Sequence, residues 1–318
     1  MADQSVILVI GATGNVGRQV VSGLLGTGAA VRAVTRDPGA AGLPSGAEVV
    51  RADLSVPRTL DEHMDGVGAV FLIWPFFTAD AAPAVLDVIA SQAHRVVYLS
   101  AMSVRDDREP QANGIWGEIE QLIEKSGLAW TFLRASGFAA NTLAWADQIR
   151  ADGVVRWPYG EAARSLIHER DIAAVAVRAL TEEGHAGAKY VLTGPETVTQ
   201  AEQVYIIGEA AGQPVRWEEL SPGVARQQLL AAWGDPGFVD GALGYWATLT
   251  ASPEQVTREV EEVTGSPART FREWAIDHAA DFRSPPQRGR VTAASSPHTA
   301  RPAARLPRST RNRRTSAG

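Results

Sequence analysis

Short apolar runs alternate with segments of helical periodicity through the first half of the chain. The first run, Val6 to Ile10, has the length and β-branched content of a buried parallel strand. From Asn15 onward, apolar residues recur at the spacing of one helix face. Further strands are predicted at 30–35, 48–54, 67–74, 95–101 and 129–134, and helices at 82–93 and 114–126. This order of strands and helices predicts an α/β fold with a doubly wound parallel sheet.

The second half of the chain is less regular, which predicts a different organisation. Strands are predicted at 154–158, 189–193 and 214–220, and helices at 141–149, 172–180, 200–211, 222–233, 253–264 and 269–282. Asp171 and Thr199 stand where N-caps belong. We therefore predict a core at 1–155, a smaller C-terminal α/β substrate lobe at 156–283 over the C-terminal edge of the sheet, and a tail at 284–318.

Three glycines join the first strand to the first helix. Gly11, Gly14 and Gly17 form a G-x-x-G-x-x-G spacing. Such a turn directs backbone N–H groups and the positive end of the helix dipole to one point, where a pyrophosphate binds. Glycine allows the unusual dihedral angles of the turn and leaves room for the phosphate. The spacing, in this position, predicts a dinucleotide-binding Rossmann core at 1–155.

Arg36 lies about 20 residues beyond the glycine loop, at the end of the predicted second strand. An acidic residue here binds the ribose of NAD, whereas an arginine suits the 2′-phosphate of NADP. We therefore predict NADP(H) as the preferred cofactor. Two alternatives remain: Arg36 is a solvated residue at a strand end, or the adjacent Asp37 takes the acidic role.

Charge separates the tail from the rest of the chain. Residues 284–318 contain eight arginines and no acidic residue or lysine, so that the remaining residues carry −6 − 8 = −14. An acidic body repels nucleic acid. The tail is also rich in proline and poor in large apolar residues, so we predict that it is disordered. Three roles remain open: an arm for nucleic acid or an acidic partner, a tether to the body of the chain, or no function.

Composition excludes several other classes of function. The chain has no cysteine, and its six histidines show no metal-ligand spacing, so we expect neither disulfides nor a metal site. No apolar run approaches the roughly 18 residues of a membrane span, and no signal peptide is visible. We therefore expect a cytoplasmic protein with a small-molecule substrate.

Two motifs resemble those of a known family. The loop Gly11-Ala-Thr-Gly-Asn-Val-Gly and the block Ser126-Gly127…Thr131…Arg134 resemble the NmrA-like group of atypical short-chain dehydrogenases/reductases, over about residues 5–283. That family includes NAD(P)H-dependent reductases of quinones and phenylpropanoids, and redox-sensing regulators. The resemblance implies cofactor contacts by Gly11, Thr13, Gly14, Asn15, Val16, Gly17, Arg36, Asp53, Leu54, Ile73, Trp74 and Ser100. Asp53 is equally open to a second interpretation, as a turn residue that caps the helix near Pro57.

The resemblance does not extend to the usual catalytic pair. The wider superfamily uses a Tyr-x-x-x-Lys pair, in which the tyrosine donates a proton to the substrate carbonyl and the lysine lowers its pKa. Alignment places Ala112 and Trp116 at these two positions, and neither side chain transfers protons. The remaining candidates for a catalytic acid are Ser100, Ser103, Glu118 and Glu120. Each also has a structural interpretation, strand-end capping for the serines and a solvated helix face for the glutamates.

Aromatic residues are frequent in the predicted substrate lobe and indicate a flat, apolar substrate. We take Phe76, Phe138, Asn141, Trp145 and Trp157 as substrate-site candidates, although most of the aromatic residues are expected in the core. These features favour an NADPH-dependent reductase of a quinone, an enone or a small aromatic carbonyl. The alternatives are an NADP(H)-sensing regulator without turnover, and a lyase, isomerase or cyclase.

Overall fold

A seven-stranded sheet forms the centre of the computed structural model, which describes residues 5–283. The predicted disorder of the tail at 284–318 concerns residues outside this range. The strands in chain order are β1 (Val6–Ile10), β2 (Val31–Thr35), β3 (Glu48–Arg51), β4 (Val67–Leu72), β5 (Arg95–Ala101), β6 (Ala129–Ala135), β7 (Val154–Trp157), β8 (Ala163–Arg164), β9 (Ala188–Leu192), β10 (Val198–Thr199) and β11 (Arg216–Glu219). Two small sheets, β8 with β10 and β7 with β11, lie outside the central one.

Helices connect these strands. They are α1 (Asn15–Gly26), α2 (Arg58–Asp61), α3 (Ala82–Ala90), α4 (Gly114–Lys125), α5 (Ala146–Asp152), α6 (Glu169–Thr181), α7 (Gln200–Ala211), α8 (Pro222–Trp233), α9 (Pro236–Leu249), α10 (Glu259–Thr264), α11 (Phe271–Asp277) and α12 (Ala279–Phe282). Short 3-10 helices occupy Pro38–Ala40, Pro110–Asn113 and Ala139–Trp145. None of the helices within residues 5–283 is both long enough and apolar enough to span a bilayer.

The strand order of the central sheet is β3-β2-β1-β4-β5-β6-β9, and all of its pairs are parallel. Because the chain runs from β1 to β3 in one direction and then returns to β4 beside β1, the order reverses between β1 and β4. In doubly wound sheets the carboxyl ends of the strands at such a reversal form the ligand crevice. The predicted Rossmann fold is therefore confirmed.

Both faces of the sheet are buried, as a parallel sheet requires. Ile7 and Val9 pack on one face with residues of α1 and α6, whereas Leu8 and Ile10 pack on the other face with residues of α3 and α4. Successive residues of a strand point to opposite faces, so a strand that is apolar throughout contributes to both layers. This explains the continuous apolar run that begins the chain.

The structure corrects the predicted helices of the second half. Helix α9, Pro236–Leu249, was not predicted because glycines interrupt its sequence; it begins at Asp235, whose carboxylate accepts a hydrogen bond from the Phe238 N–H. The predicted helix at 253–264 is limited to α10, and the helix at 269–282 is divided at His278. The N-cap of α6 is His168, not Asp171, because the His168 ring accepts a hydrogen bond from the Arg170 N–H.

The central sheet extends past the predicted boundary at residues 155 and 156. β9 pairs with β6, and α6 packs against α1 on the sheet. The remainder of the predicted lobe forms its own clusters, in which α7, α11 and α12 pack around Trp145 and the α8–α9 pair packs around Trp246. The division into 1–155 and 156–283 stays a prediction.

A buried carboxylate attaches the last helices to α6. Glu169 accepts hydrogen bonds from the Trp274 indole (3.1 Å) and from His278 Nε2 (2.8 Å), and the Trp274 and His278 rings are stacked at 4.6 Å. Burial disfavours the charged form of Glu169, but hydrogen bonds with His168 and His278 hold its pKa well below the usual range. The hydrogen bond to Glu169 in turn raises the pKa of His278.

This contact predicts a pH-dependent stability. The His278 pKa is raised from 6.5, so its contribution to stability is complete below about pH 6.5 and is lost as the pH rises through the folded-state value. The unfolding midpoint in denaturant should therefore decrease above pH 6.5. His278→Gln should remove most of this decrease, and an unchanged profile in that variant would contradict the assignment.

Candidate functional site

The glycine loop lies at the reversal between β1 and β4, and two of its three glycines are required for close packing. Gly11 has a φ of +83°, and a Cβ there would lie 2.9 Å from Ile73 Cβ. A Cβ on Gly17 would lie 2.1 Å from the carbonyl oxygen of Gly11. A Cβ on Gly14 would meet only that oxygen, at 3.4 Å, an ordinary contact. Gly11 and Gly17 therefore shape the loop, whereas Gly14 leaves its outer surface open.

The first turn of α1 has no side-chain cap. Its N-cap is Gly14, which makes no side-chain hydrogen bond, and no acidic residue lies in the first turn. The Thr199, Asp235 and Thr270 side chains accept hydrogen bonds from the first turns of α7, α9 and α11, whereas α1 shares the lack of a side-chain cap with several other helices and differs from them in starting at the glycine loop. The first N–H groups of a helix need acceptors, and an anion can supply them. The loop thus fits the pyrophosphate of a dinucleotide.

The predicted contact residues around this loop differ in exposure. Thr13 and Asn15 are exposed beside Gly14, whereas the Val16 side chain is buried in the core. Arg18 braces the loop, because its guanidinium donates to the carbonyl oxygens of Thr13 (3.1 Å) and Gly42 (2.9 Å). The loop therefore presents backbone and small polar groups to the crevice on a fixed support.

Arg36 and Asp37 follow β2 and differ in their partners. The Asp37 carboxylate accepts a hydrogen bond from the Gly39 N–H (3.1 Å), where it caps the 3-10 helix that follows. The Arg36 side chain is exposed, and no hydrogen bond to the rest of residues 5–283 holds it. Of the two, Arg36 is the residue whose charged group is available to a ligand.

The ends of β3 and β4 carry four further candidates. Asp53 accepts hydrogen bonds from the Ser55 N–H and hydroxyl, which lower its pKa, so it caps a turn and leaves α2 without a side-chain cap. Leu54 is buried in the core. Ile73 and Trp74 are half-buried at the crevice, and the Trp74 indole donates to the Thr78 carbonyl oxygen (2.9 Å). This hydrogen bond stabilises the loop after β4.

Ser100 belongs to a buried polar network. Its hydroxyl donates to Glu120 Oε1 (2.6 Å), and Arg134 donates to both Glu120 oxygens, at 3.0 and 2.7 Å. Arg134 also pairs with Asp106, and this contact, together with Lys189, lowers the Asp106 pKa to about 2. The solvated-face interpretation of Glu120 is therefore wrong, since only 4% of that residue is exposed. Ser100 as a cofactor contact or catalytic residue stays a prediction.

The other catalytic candidates lie around α4. Ser103 is exposed and Glu118 is half-buried. Ala112 lies in the 3-10 helix before α4, and Trp116 lies in the first turn of α4 with 36% of its surface exposed. The two positions of the usual catalytic pair therefore belong to different helical elements in this chain. A catalytic role for Ser103 or Glu118 stays a prediction.

The substrate-site candidates fall into two groups. Phe76 and Phe138 are half-buried and Asn141 is exposed, all at or after the carboxyl ends of central strands. Trp145 is buried in the C-terminal core, where it forms edge contacts with Trp157 and Trp217. Trp157 is half-buried and contacts Trp246 of α9. Trp145 therefore serves packing in this structure, and a substrate role for the other four residues stays a prediction.

Helix α9 reaches the crevice, a contact that the sequence did not indicate. Phe238 in its first turn packs against Phe77 of the loop after β4, with ring centroids 5.5 Å apart. Phe77 is otherwise 65% exposed. Within residues 5–283, no group of histidine, aspartate and glutamate side chains is arranged to hold a metal ion. The first turn of α9 therefore lies against the loop after β4, at the carboxyl edge of the sheet.

An uncapped helix at a glycine loop, at the reversal of a doubly wound sheet, defines a dinucleotide-binding protein of the Rossmann type. The model of the NAD(P)H-binding family matches residues 11–183. The chain is 40% identical to the (4-alkanoyl-5-oxo-2,5-dihydrofuran-3-yl)methyl phosphate reductase of Streptomyces griseus, over 87% of this chain and 99% of that protein. It is 36% identical to the NAD(P)H azoreductase of Xenophilus azovorans, with the same coverage.

A solved structure shares this fold. The NADPH-dependent quinone oxidoreductase of Escherichia coli, crystallised with NADPH, superposes with a TM-score of 0.70 at 23% identity, over 85% of this chain and 98% of that one. The chain belongs to the NAD(P)H-binding family, and its predicted place among the NmrA-like atypical short-chain dehydrogenases/reductases is confirmed.

Gly14 and Gly17 should respond differently to substitution. Gly14→Val should abolish NADPH binding and change the free energy of unfolding by no more than about 1 kcal/mol, because its side chain occupies only the ligand space. Gly17→Val should destabilise the fold by about 3 kcal/mol or more, because it collides with the Gly11 carbonyl. Calorimetric titration and urea denaturation measure the two effects. Retained NADPH binding in folded Gly14→Val would refute the phosphate-loop assignment.

Proposed function

We propose that the protein is an NADPH-dependent reductase of a quinone, an enone or a small aromatic acceptor. The observation that carries this proposal is the uncapped glycine loop at the crevice, in a chain whose relatives over nearly their full length are reductases. By their names, those relatives reduce a dihydrofuranone phosphate and an azo compound. Both comparisons favour a conjugated acceptor.

The residues of the chain serve mainly to bind and to orient. The first N–H groups of α1 hold the pyrophosphate, and Arg36 holds the 2′-phosphate. Ile73 and Trp74 limit the crevice at the nicotinamide side. NADPH supplies a hydride when bound. Orientation of the two reactants can supply much of the rate enhancement, and water can protonate a reduced quinone without an acidic side chain.

The absent Tyr-x-x-x-Lys pair supports a second candidate, an NADP(H)-sensing protein without turnover. Ala112 and Trp116 transfer no proton, and Arg134 neutralises Glu120. A sensor would bind NADPH with similar affinity but would not consume it.

Steady-state NADPH oxidation with menadione, an azo dye and cyclohexanone separates the two functions. A reductase that lacks an acid should consume NADPH with menadione or the azo dye at least 100-fold faster than with the simple ketone, since general acid catalysis contributes about 100-fold or more. Binding of NADPH without consumption by any acceptor would favour the sensor.

Arg36→Ala should weaken NADPH binding by about 10- to 150-fold, because a hydrogen bond to a charged group contributes roughly 1.5–3 kcal/mol. NADH binding should change by less than about twofold. Arg51→Ala, which removes an exposed arginine from β3, is the matched control. Equal losses for both cofactors would show that Arg36 does not recognise the 2′-phosphate.

A further inference from the structure

Among residues 5–283, Arg164 at the end of β8 has no hydrogen-bond or ion-pair partner for its guanidinium. Its Nε is buried and makes no hydrogen bond within residues 5–283. In the same part of the chain, no carboxylate lies within ion-pair distance of its guanidinium. Guanidinium groups carry five N–H donors and stay charged, so removal of one from water without an acceptor is unfavourable.

The Arg164 guanidinium lies against Gly137, just beyond the carboxyl end of β6. Ser136 and Gly137 follow the end of β6, and the substrate candidate Phe138 comes next. A Cβ on Gly137 would lie 1.9 Å from Arg164 Nη2 and 2.7 Å from Cζ, so the guanidinium occupies the space that a side chain would fill. Hydrogen bonds from Ser136 Oγ to the Ser165 carbonyl (2.6 Å) and from the Ile167 N–H to the Gly137 carbonyl (3.0 Å) hold the two segments together.

The buried carboxylate of Glu254, next to Ser165, already accepts hydrogen bonds from neutral donors. Glu254 Oε2 accepts hydrogen bonds from the Ser165 N–H (2.8 Å) and hydroxyl (2.9 Å), and Glu254 Oε1 accepts one from the Tyr245 hydroxyl. Tyr245 lies on α9, the helix that reaches the crevice. Glu254 thus fixes β8 and α9 relative to each other and leaves the donors of Arg164 free for a different acceptor.

We propose that Arg164 binds an anionic group of the substrate, a phosphate monoester, sulfonate or carboxylate attached to the conjugated acceptor. Arginine suits such groups because its planar fork donates two parallel hydrogen bonds to their oxygens. The position beside Phe138 places the anion next to the half-buried aromatic side of the crevice. This inference rests on the proposed reductase function, for which it specifies the class of substrate.

The test compares two ligands that are not reduced, so that binding is measured apart from turnover. Naphthalene-2-sulfonate and 2-naphthol are titrated calorimetrically into the NADP⁺-saturated protein. Arg164→Gln should weaken sulfonate binding by about 10- to 150-fold and change naphthol binding by less than about twofold. Arg164→Lys should retain part of the preference for the sulfonate over the naphthol, because lysine keeps the positive charge but lacks the planar guanidinium. Arg216→Gln, which removes an exposed arginine from β11, should leave both affinities unchanged.

A second variant changes Gly137, the residue that lies against the Arg164 guanidinium. Gly137→Ala should reduce the preference for the sulfonate, because its methyl group displaces the guanidinium. An unchanged ratio of sulfonate to naphthol affinity in folded Arg164→Gln or Gly137→Ala would overturn the inference, whether both affinities stay the same or both fall equally. If the wild type reduces neither menadione nor 1,4-naphthoquinone-2-sulfonate but still binds naphthalene-2-sulfonate through Arg164, the reductase proposal fails and the anion site stands.

Discussion

The contact between Gly17 and the carbonyl of Gly11 is the constraint on which the site depends. Because any Cβ at position 17 would lie 2.1 Å from that oxygen, only glycine lets α1 begin so close to the end of β1. Val20 and Leu24 then bury the helix between the sheet and α6. The burial that stabilises the fold therefore also aims the free N–H groups of α1 at the crevice. At Gly17, therefore, the same contact determines both the packing of α1 and the position of its N–H groups.

A buried charge pair connects helix α4 to the central sheet. Glu120 on α4 and Arg134 on β6 are both buried, and removal of one partner from such a pair costs about 3–5 kcal/mol. The Ser100 hydroxyl and the buried Tyr98 hydroxyl lie around the same carboxylate, and burial with the nearby Glu120 charge raises the pKa of Tyr98. The hydrogen bonds of Glu120 to Ser100 and Arg134 therefore attach helix α4 to strands β5 and β6.

The parts of the molecule that follow from the sequence are those in which the physical cause is local. β1, β5 and α8 have the predicted bounds, and the Thr199 cap of α7 is a capping box, because apolar periodicity and capping depend on residues a few positions apart. Glu120 was open to the interpretation of a solvated helix residue because its partner Arg134 lies on the adjacent strand. Helix α9 was missed although Val239, Leu243 and Trp246 have helical spacing, since the glycines between them obscured the pattern.

This difference between local and distant causes separates the two halves of the crevice. The phosphate-binding part of the cofactor side consists of one strand, one loop and one helix, so a short motif defines it. The proposed substrate side depends on contacts between distant residues, such as Gly137 with Arg164 and Phe77 with Phe238 of α9, which form only in the folded chain. A short motif therefore indicates the cofactor, whereas the proposed anion site depends on an arginine that fits because its neighbour is glycine. Specificity within such a family is accordingly to be sought in pairs of distant residues, and Arg164 with Gly137 is the pair that the present crevice offers.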